Sequence, residues 1–158
     1  MVRVAALCCR PGVGELTVLG RLRHVYDRAR RAGPDGRLLL AEAFVASVVV
    51  RAALSGLPYA AAARVITRAQ PLIGRRPREP RRIVWAVRVA AARVPGATCL
   101  VQALVGQALL ARSGRSSAVR FGVRRGAAGV EAHAWLEHEG SALVGADERY
   151  APFEGVRA

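Results

Sequence analysis

The sequence predicts an α+β fold, an N-terminal helical region followed by a cysteine-bearing helix packed on a small antiparallel β-sheet. Three observations carry this. Apolar residues recur at helical spacing over Leu38–Leu54 and Arg81–Val94, and again from Cys99 to Arg112. Three strand-like runs then follow, at Ala118–Arg124, Val130–His138 and Ala142–Gly145. Between the two halves, Gly74-Arg75-Arg76-Pro77-Arg78-Glu79-Pro80 is a charged, proline-bearing stretch. It divides the chain into a helical region (1–74), a linker (75–80) and a core (81–158).

Taken in order, residues 1–20 match no clear element. Leu22 to Arg31 is a short basic helix, ended by the turn signal Gly33-Pro34-Asp35-Gly36. A long helix follows from Leu38 to Leu54 and stops at Ser55-Gly56 and Pro58. Its apolar run, Leu38 to Val50, is interrupted by Glu42 and closed by Arg51. Thirteen residues do not span a bilayer, so the run reads as a buried helix. Tyr59 to Ala69 is a further helix, ending before Pro71. Past the linker, Ile83, Val84, Val87, Ala90 and Ala91 share one face of a helix closed by Pro95-Gly96. Ala97-Thr98-Cys99 opens the next, with Leu100, Leu104, Ala108 and Leu110 as its apolar residues and Gly114 as its terminator. Gly126-Ala127-Ala128-Gly129 and His138-Glu139-Gly140-Ser141 read as hairpin turns.

Composition excludes several functions. The chain has 158 residues, 53% of them apolar, enough to bury a core and too many for a disordered segment. Its formal charge is +14, and all 25 basic residues are arginine. Such a field favours acidic partners at low salt. The arginines are nevertheless spread along the chain, with no interleaved aromatics and no nucleic-acid-binding motif, so nucleic acid is not the expected partner. Cys8, Cys9 and Cys99 make neither a disulfide framework nor a zinc site, and no metal or cofactor is expected. The reading is a cytoplasmic protein: cysteine usage fits the reducing cytosol, residues 1–20 lack a signal peptide, and no membrane role is expected.

Cys99 is the first candidate for chemistry. Pro95-Gly96-Ala97-Thr98 places it in the first turn of a helix, where unpaired N–H groups and the helix dipole stabilise a thiolate. The plain alternative is a small buried hydrophobe. His133 shifts the balance. It lies mid-strand in Glu131-Ala132-His133-Ala134-Trp135-Leu136-Glu137, and alternation groups His133 with Trp135 and Glu137. An imidazole facing the start of a cysteine-bearing helix is what a cysteine protease needs to take the thiol proton and later protonate the leaving amine.

The residues around this pair carry a resemblance. Pro95-Gly96-Ala97-Thr98-Cys99-Leu100-Val101-Gln102-Ala103-Leu104, Leu109-Leu110-Ala111-Arg112-Ser113-Gly114, Phe121-Gly122-Val123 and Ala132-His133-Ala134-Trp135-Leu136-Glu137 together resemble the lasso-peptide leader peptidases. These are the B proteins of lasso peptide biosynthesis, within the transglutaminase-like superfamily. The Leu38–Tyr59 segment also looks like their helical region, and the resemblance covers residues 20–153. It implies a papain/transglutaminase-like core without cofactor or metal, cutting the leader from a ribosomally made precursor peptide. A separate ATP-dependent lasso cyclase then closes the ring. The helical first 80 residues resemble the standalone form, which implies a separate leader-recognition protein as partner.

The resemblance also implies an acid on the strand after the histidine. The matching position falls on Gly145, and the acids present are Asp147 and Glu148. If the hairpin pairs His133 with Gly145, Asp147 is the same-face neighbour; if it pairs His133 with Ala146, Glu148 is. Asp147 is the residue assigned, with the role of fixing the imidazole tautomer. The oxyanion hole is assigned by analogy to the Cys99 N–H. Gln102 reads as helix surface or packing, and Trp135 as a shield for the ion pair or plain core. Trp85 packs between helices, His24 and His138 are exposed, and Cys8 and Cys9 have no role. Two other readings stand beside the peptidase: a transglutaminase-like acyl transferase, and a non-enzymatic basic scaffold binding an acidic peptide or nucleic acid.

Overall fold

Small apolar residues at helical spacing let helices approach closely, and they set how this molecule packs. The computed structural model describes residues 33–69, 76–126, 129–145 and 150–152. The described helices are α1 (Gly33–Gly56), α2 (Tyr59–Ala69), α3 (Pro80–Ala91) and α4 (Cys99–Arg112). The strands are β1 (Ala118–Gly126), β2 (Gly129–His138), β3 (Ser141–Val144) and β4 (Ala151–Pro152), in the spatial order β3-β2-β1-β4. The fold is α+β, with the cysteine-bearing helix preceding an antiparallel sheet, as the sequence predicts. The expected Leu22–Arg31 helix and Cys8, Cys9 and His24 lie outside the described residues.

Helix α1 buries Leu39, Ala43, Ser47 and Val50, a single stripe at steps of four and three residues. The buried Ser47 hydroxyl donates to the Ala43 carbonyl at 2.7 Å, so it is satisfied within its own helix. Two expectations are corrected here. Gly33-Pro34-Asp35-Gly36 is the opening of α1 instead of a turn. Proline is tolerated in a first turn, where its missing N–H has no intrahelical partner to lose, and Asp35 complements the positive end of the helix dipole. Nor is the Leu38–Val50 run buried all round: Phe44, Val45, Val48 and Val49 are exposed, since only one face meets α3 and α4. By length and composition alone α1 could cross a bilayer, yet its stripe is engaged in the core.

Helix α4 is the centre of that core. Val101, Ala103, Leu104, Val105, Leu109 and Leu110 are buried, with α1 and α3 on one side and β2 on the other. Each fully buried leucine contributes about 1.5–3 kcal/mol. Gly106 sets the closest approach to the sheet: a Cβ there would meet Leu136 Cδ2 at 2.7 Å. At the C-terminal end of α4, the Arg112 carbonyl accepts the Arg76 N–H at 3.0 Å, and Ser113 Oγ donates to the Arg76 carbonyl at 3.1 Å. Three guanidinium groups, of Arg76, Arg78 and Arg112, lie 3.8, 3.3 and 3.4 Å from the Glu42 carboxylate of α1. Residues 76–79 are thereby stitched to both helices.

Strands β1 and β2 pair in unbroken register from Ala118↔Glu137 to Gly126↔Gly129, with residues 127–128 outside the described set. The β2–β3 turn has φ 50° at Glu139 and 73° at Gly140, the two left-handed positions of a two-residue hairpin. Pairing starts at His138↔Ser141 and Glu137↔Ala142 and then shifts to Leu136↔Val144. Leu143 is the extra residue of a β-bulge. The described ladder ends at Leu136↔Val144, so the pairing expected for His133, with Gly145 or with Ala146, lies beyond it, and Ala146 is outside the described residues. Gly145 follows Val144 and lies beside Trp135, whose Cβ would be 3.7 Å from a Cβ on the glycine.

Two predictions follow from packing. Gly106→Ala should destabilise the protein by about 1–3 kcal/mol, measured by thermal or denaturant unfolding, because the methyl is driven into Leu136. The second concerns Tyr59, whose ring meets Phe121 edge-on at 5.4 Å while its hydroxyl is buried without a hydrogen-bond partner. Tyr59→Phe should be neutral or stabilising by up to about 1 kcal/mol. Burial raises the Tyr59 pKa, so its contribution is intact below the unfolded value of about 10 and is lost as pH rises through the folded one. The variant should therefore lose less stability on alkaline titration than the parent.

Candidate active site

The chain reaches α4 through a turn that only glycine fits well. Gly96 has φ 73°, and a Cβ on it would meet Arg51 Nε at 2.8 Å, so the α1 side chain lies directly over it. Ala97 N–H donates to the Val94 carbonyl at 3.1 Å, and Thr98 is extended. The Thr98 carbonyl accepts the Gln102 N–H at 3.2 Å, while its hydroxyl makes no cap. Cys99 is then the first residue of α4, as the sequence predicts, half-buried against the core and outside any disulfide. Its position is the N-terminal, positive end of the helix dipole.

His133 sits in the middle of β2 and is only 5% exposed. Its Nε2 lies 2.5 Å from the Gly145 carbonyl oxygen. A carbonyl only accepts, so Nε2 carries the hydrogen and donates it. Nδ1 is buried and has no hydrogen-bond partner. In the neutral ring that nitrogen holds the lone pair.

The ring is also walled. It stacks on Tyr150 with centroids 4.8 Å apart and on Trp135 at 6.4 Å. The Tyr150 hydroxyl donates to Glu131 Oε2 at 3.3 Å, the same oxygen that receives Arg124 Nη2 at 2.6 Å and Nε at 2.8 Å. The Arg124 guanidinium lies 4.9 Å from the centre of the Tyr150 ring. Phenol, carboxylate and guanidinium thus brace one another behind the imidazole.

Strand alternation divides these groups from the core. Ala134 and Leu136 are buried in the cluster that includes α4, while His133 and Trp135 leave β2 on its other side. The structure brings His133 together with Gly145, Trp135 and Tyr150. The expected facing of the imidazole toward the start of α4 is not seen: His133 points from β2 to the side away from that core, and its Nδ1 makes no hydrogen bond to the Cys99 thiol. Asp147 and Glu148 lie outside the described residues. Gln102 is half-buried one turn beyond Cys99, and Trp85 packs against the core.

His138 is a correction: it is buried, not exposed. It shares the inward side of β2 with Ala134 and Leu136, and its Nδ1 lies 2.6 Å from the Ser116 carbonyl, fastening the end of β2 to the segment before β1. Gly145 and Tyr150 are the two neighbours of the imidazole that sequence reasoning missed. For Gly145 a signal existed, a glycine where the resemblance implied an acid; for Tyr150 there was none. Among the described residues, no group of three or more His, Cys, Asp or Glu is arranged to hold a metal ion.

No curated protein and no solved structure matches the chain. A family model does, over residues 44–158, a span that begins within α1 and takes in the whole of α4 and the sheet. Members of that family are typically cysteine-dependent enzymes, both peptidases and acyl transferases. By this match over most of its length, the chain belongs to the transglutaminase-like superfamily.

Proposed function

We propose that this chain is a cysteine peptidase that removes the leader from a ribosomally made lasso precursor peptide, with Cys99 as nucleophile and His133 as its base. The observation that carries the chemistry is the oriented imidazole. Nε2 is held by a carbonyl, and Nδ1 is left buried with its lone pair available. His138 shows the same pattern, with Nδ1 on the Ser116 carbonyl and Nε2 buried without a hydrogen-bond partner, so it is the motif around His133 that singles this ring out as the base. The helix-start position of Cys99 supports the nucleophile, and the motifs around both residues support the leader-peptidase reading.

The reaction divides into two steps. Nδ1 takes the thiol proton, and the thiolate attacks the scissile carbonyl carbon to form a tetrahedral intermediate. The Cys99 N–H at the start of α4 is the donor assigned to the developing oxyanion. Nδ1–H then passes its proton to the departing amine, leaving a thioester that water hydrolyses. The thiol and the imidazole must meet for this, and because His133 leaves β2 on the side away from the core that holds α4, the reading requires a rearrangement that brings the ring to the start of α4.

Cys99→Ala should abolish leader removal, with a loss on the order of 10⁴-fold or more followed by mass spectrometry of the precursor. His133→Ala should be nearly as severe and not additive with it, since the two act as a unit. Release of the leader by Cys99→Ala at near the parent rate would sink the assignment. The isolated chain should cut weakly until a leader-recognition protein is added, and activity should fall with salt if the positive surface holds an acidic leader. Equal rates with and without that protein would argue against a separate recognition partner.

A further inference from the structure

We infer that the backbone carbonyl of Gly145, and not a carboxylate, is the group that orients His133. The inference rests on the reading of His133 as the base and adds to it a positioning residue. A neutral imidazole has one N–H, and at 2.5 Å the Gly145 oxygen already holds it. A carboxylate from the following residues could claim that hydrogen only by displacing the carbonyl.

The backbone is built for this contact. Gly145 has φ 78°, a left-handed conformation in which a side chain is strained. A Cβ there would stand 3.2 Å from the Ala134 carbonyl oxygen and 3.4 Å from His133 Nε2 itself. The absence of a side chain is what allows the chain to pass so close to the ring. The bulge at Leu143 sets the register that delivers this carbonyl, since Val144, not Leu143, pairs with Leu136.

The chemistry balances without an acid. When Cys99 ionises, its S–H bond breaks and an Nδ1–H bond forms, while Nε2–H stays with the Gly145 oxygen and no proton moves onto the carbonyl. A carbonyl stabilises the imidazolium less than a carboxylate would, because only the latter carries charge. The face of Tyr150, 4.8 Å away, supplies a second attraction for the cation.

The test combines a tautomer measurement with a reactivity profile on the full chain. In ¹⁵N-labelled protein, with His133→Gln used to assign the signals, neutral His133 should show the Nε2–H form. The Nδ1–H form, or a mixture of the two, overturns the inference. Asp147→Asn and Glu148→Gln should keep that tautomer and hold leader removal within about threefold, against roughly 10⁴-fold if a carboxylate held the ring. A loss of that larger size in either variant also overturns it. Gly145→Ala, which displaces the carbonyl, should yield mixed tautomers; if it does not fold, the parent's tautomer decides. Iodoacetamide alkylation of the Cys99 peptide against pH separates the two failures. A profile unchanged by His133→Ala removes the base reading itself. A profile moved by His133→Ala and moved equally by Asp147→Asn removes only the carbonyl.

Discussion

The close approach of α4 to β2 at Gly106 is the constraint on which the rest of this structure depends. With no side chain at Gly106, Leu136 can reach the helix surface, and the helix can lie in the core with apolar residues on nearly every side. α1 and α3 then cover the opposite flank of α4, and Glu42 ties its far end to the arginines of residues 76–79. The consequence for function is positional. The N-terminus of α4, with Cys99 on it, is held by a buried body and not by a mobile loop.

The imidazole is fixed by different means, chiefly the hairpin beside it. β2 carries the ring, the bulged β3 brings the Gly145 carbonyl to one nitrogen, and Tyr150 closes over its face. The braced Tyr150–Glu131–Arg124 group shows how an Arg-rich chain can place charge usefully close to a buried ring without pairing with it directly. The Cys99 helix start and the His133 ring thus belong to two separately stabilised parts of one fold.

Much of this was legible because local rules and packing agree. Tyr59–Ala69 has the predicted bounds, since Pro58 and Pro71 punctuate it, and the Cys99 helix starts and stops where Gly96 and Gly114 demand. The three main strands follow from their alternation. The failures share a cause, which is that the deciding interaction is not local. Gly33-Pro34-Asp35-Gly36 has turn composition, yet its buried Gly36 is drawn into α1. His138 looks like a polar strand end until Ser116, distant in sequence, supplies its acceptor. The bulge leaves no mark in composition, and the acceptor of His133 is a backbone atom, which no side-chain pattern reveals.

That bulge has a wider consequence. Past Leu143 the facing of every residue is counted from a different origin than it is next to the turn. Loss or gain of one residue in this hairpin would exchange inner and outer sets beyond it while scarcely altering the order of side chains. The acceptor offered to the imidazole is therefore governed by chain length. A small insertion or deletion between the histidine strand and its neighbour would change which atom arrives at the ring, where a substitution at the surface would not.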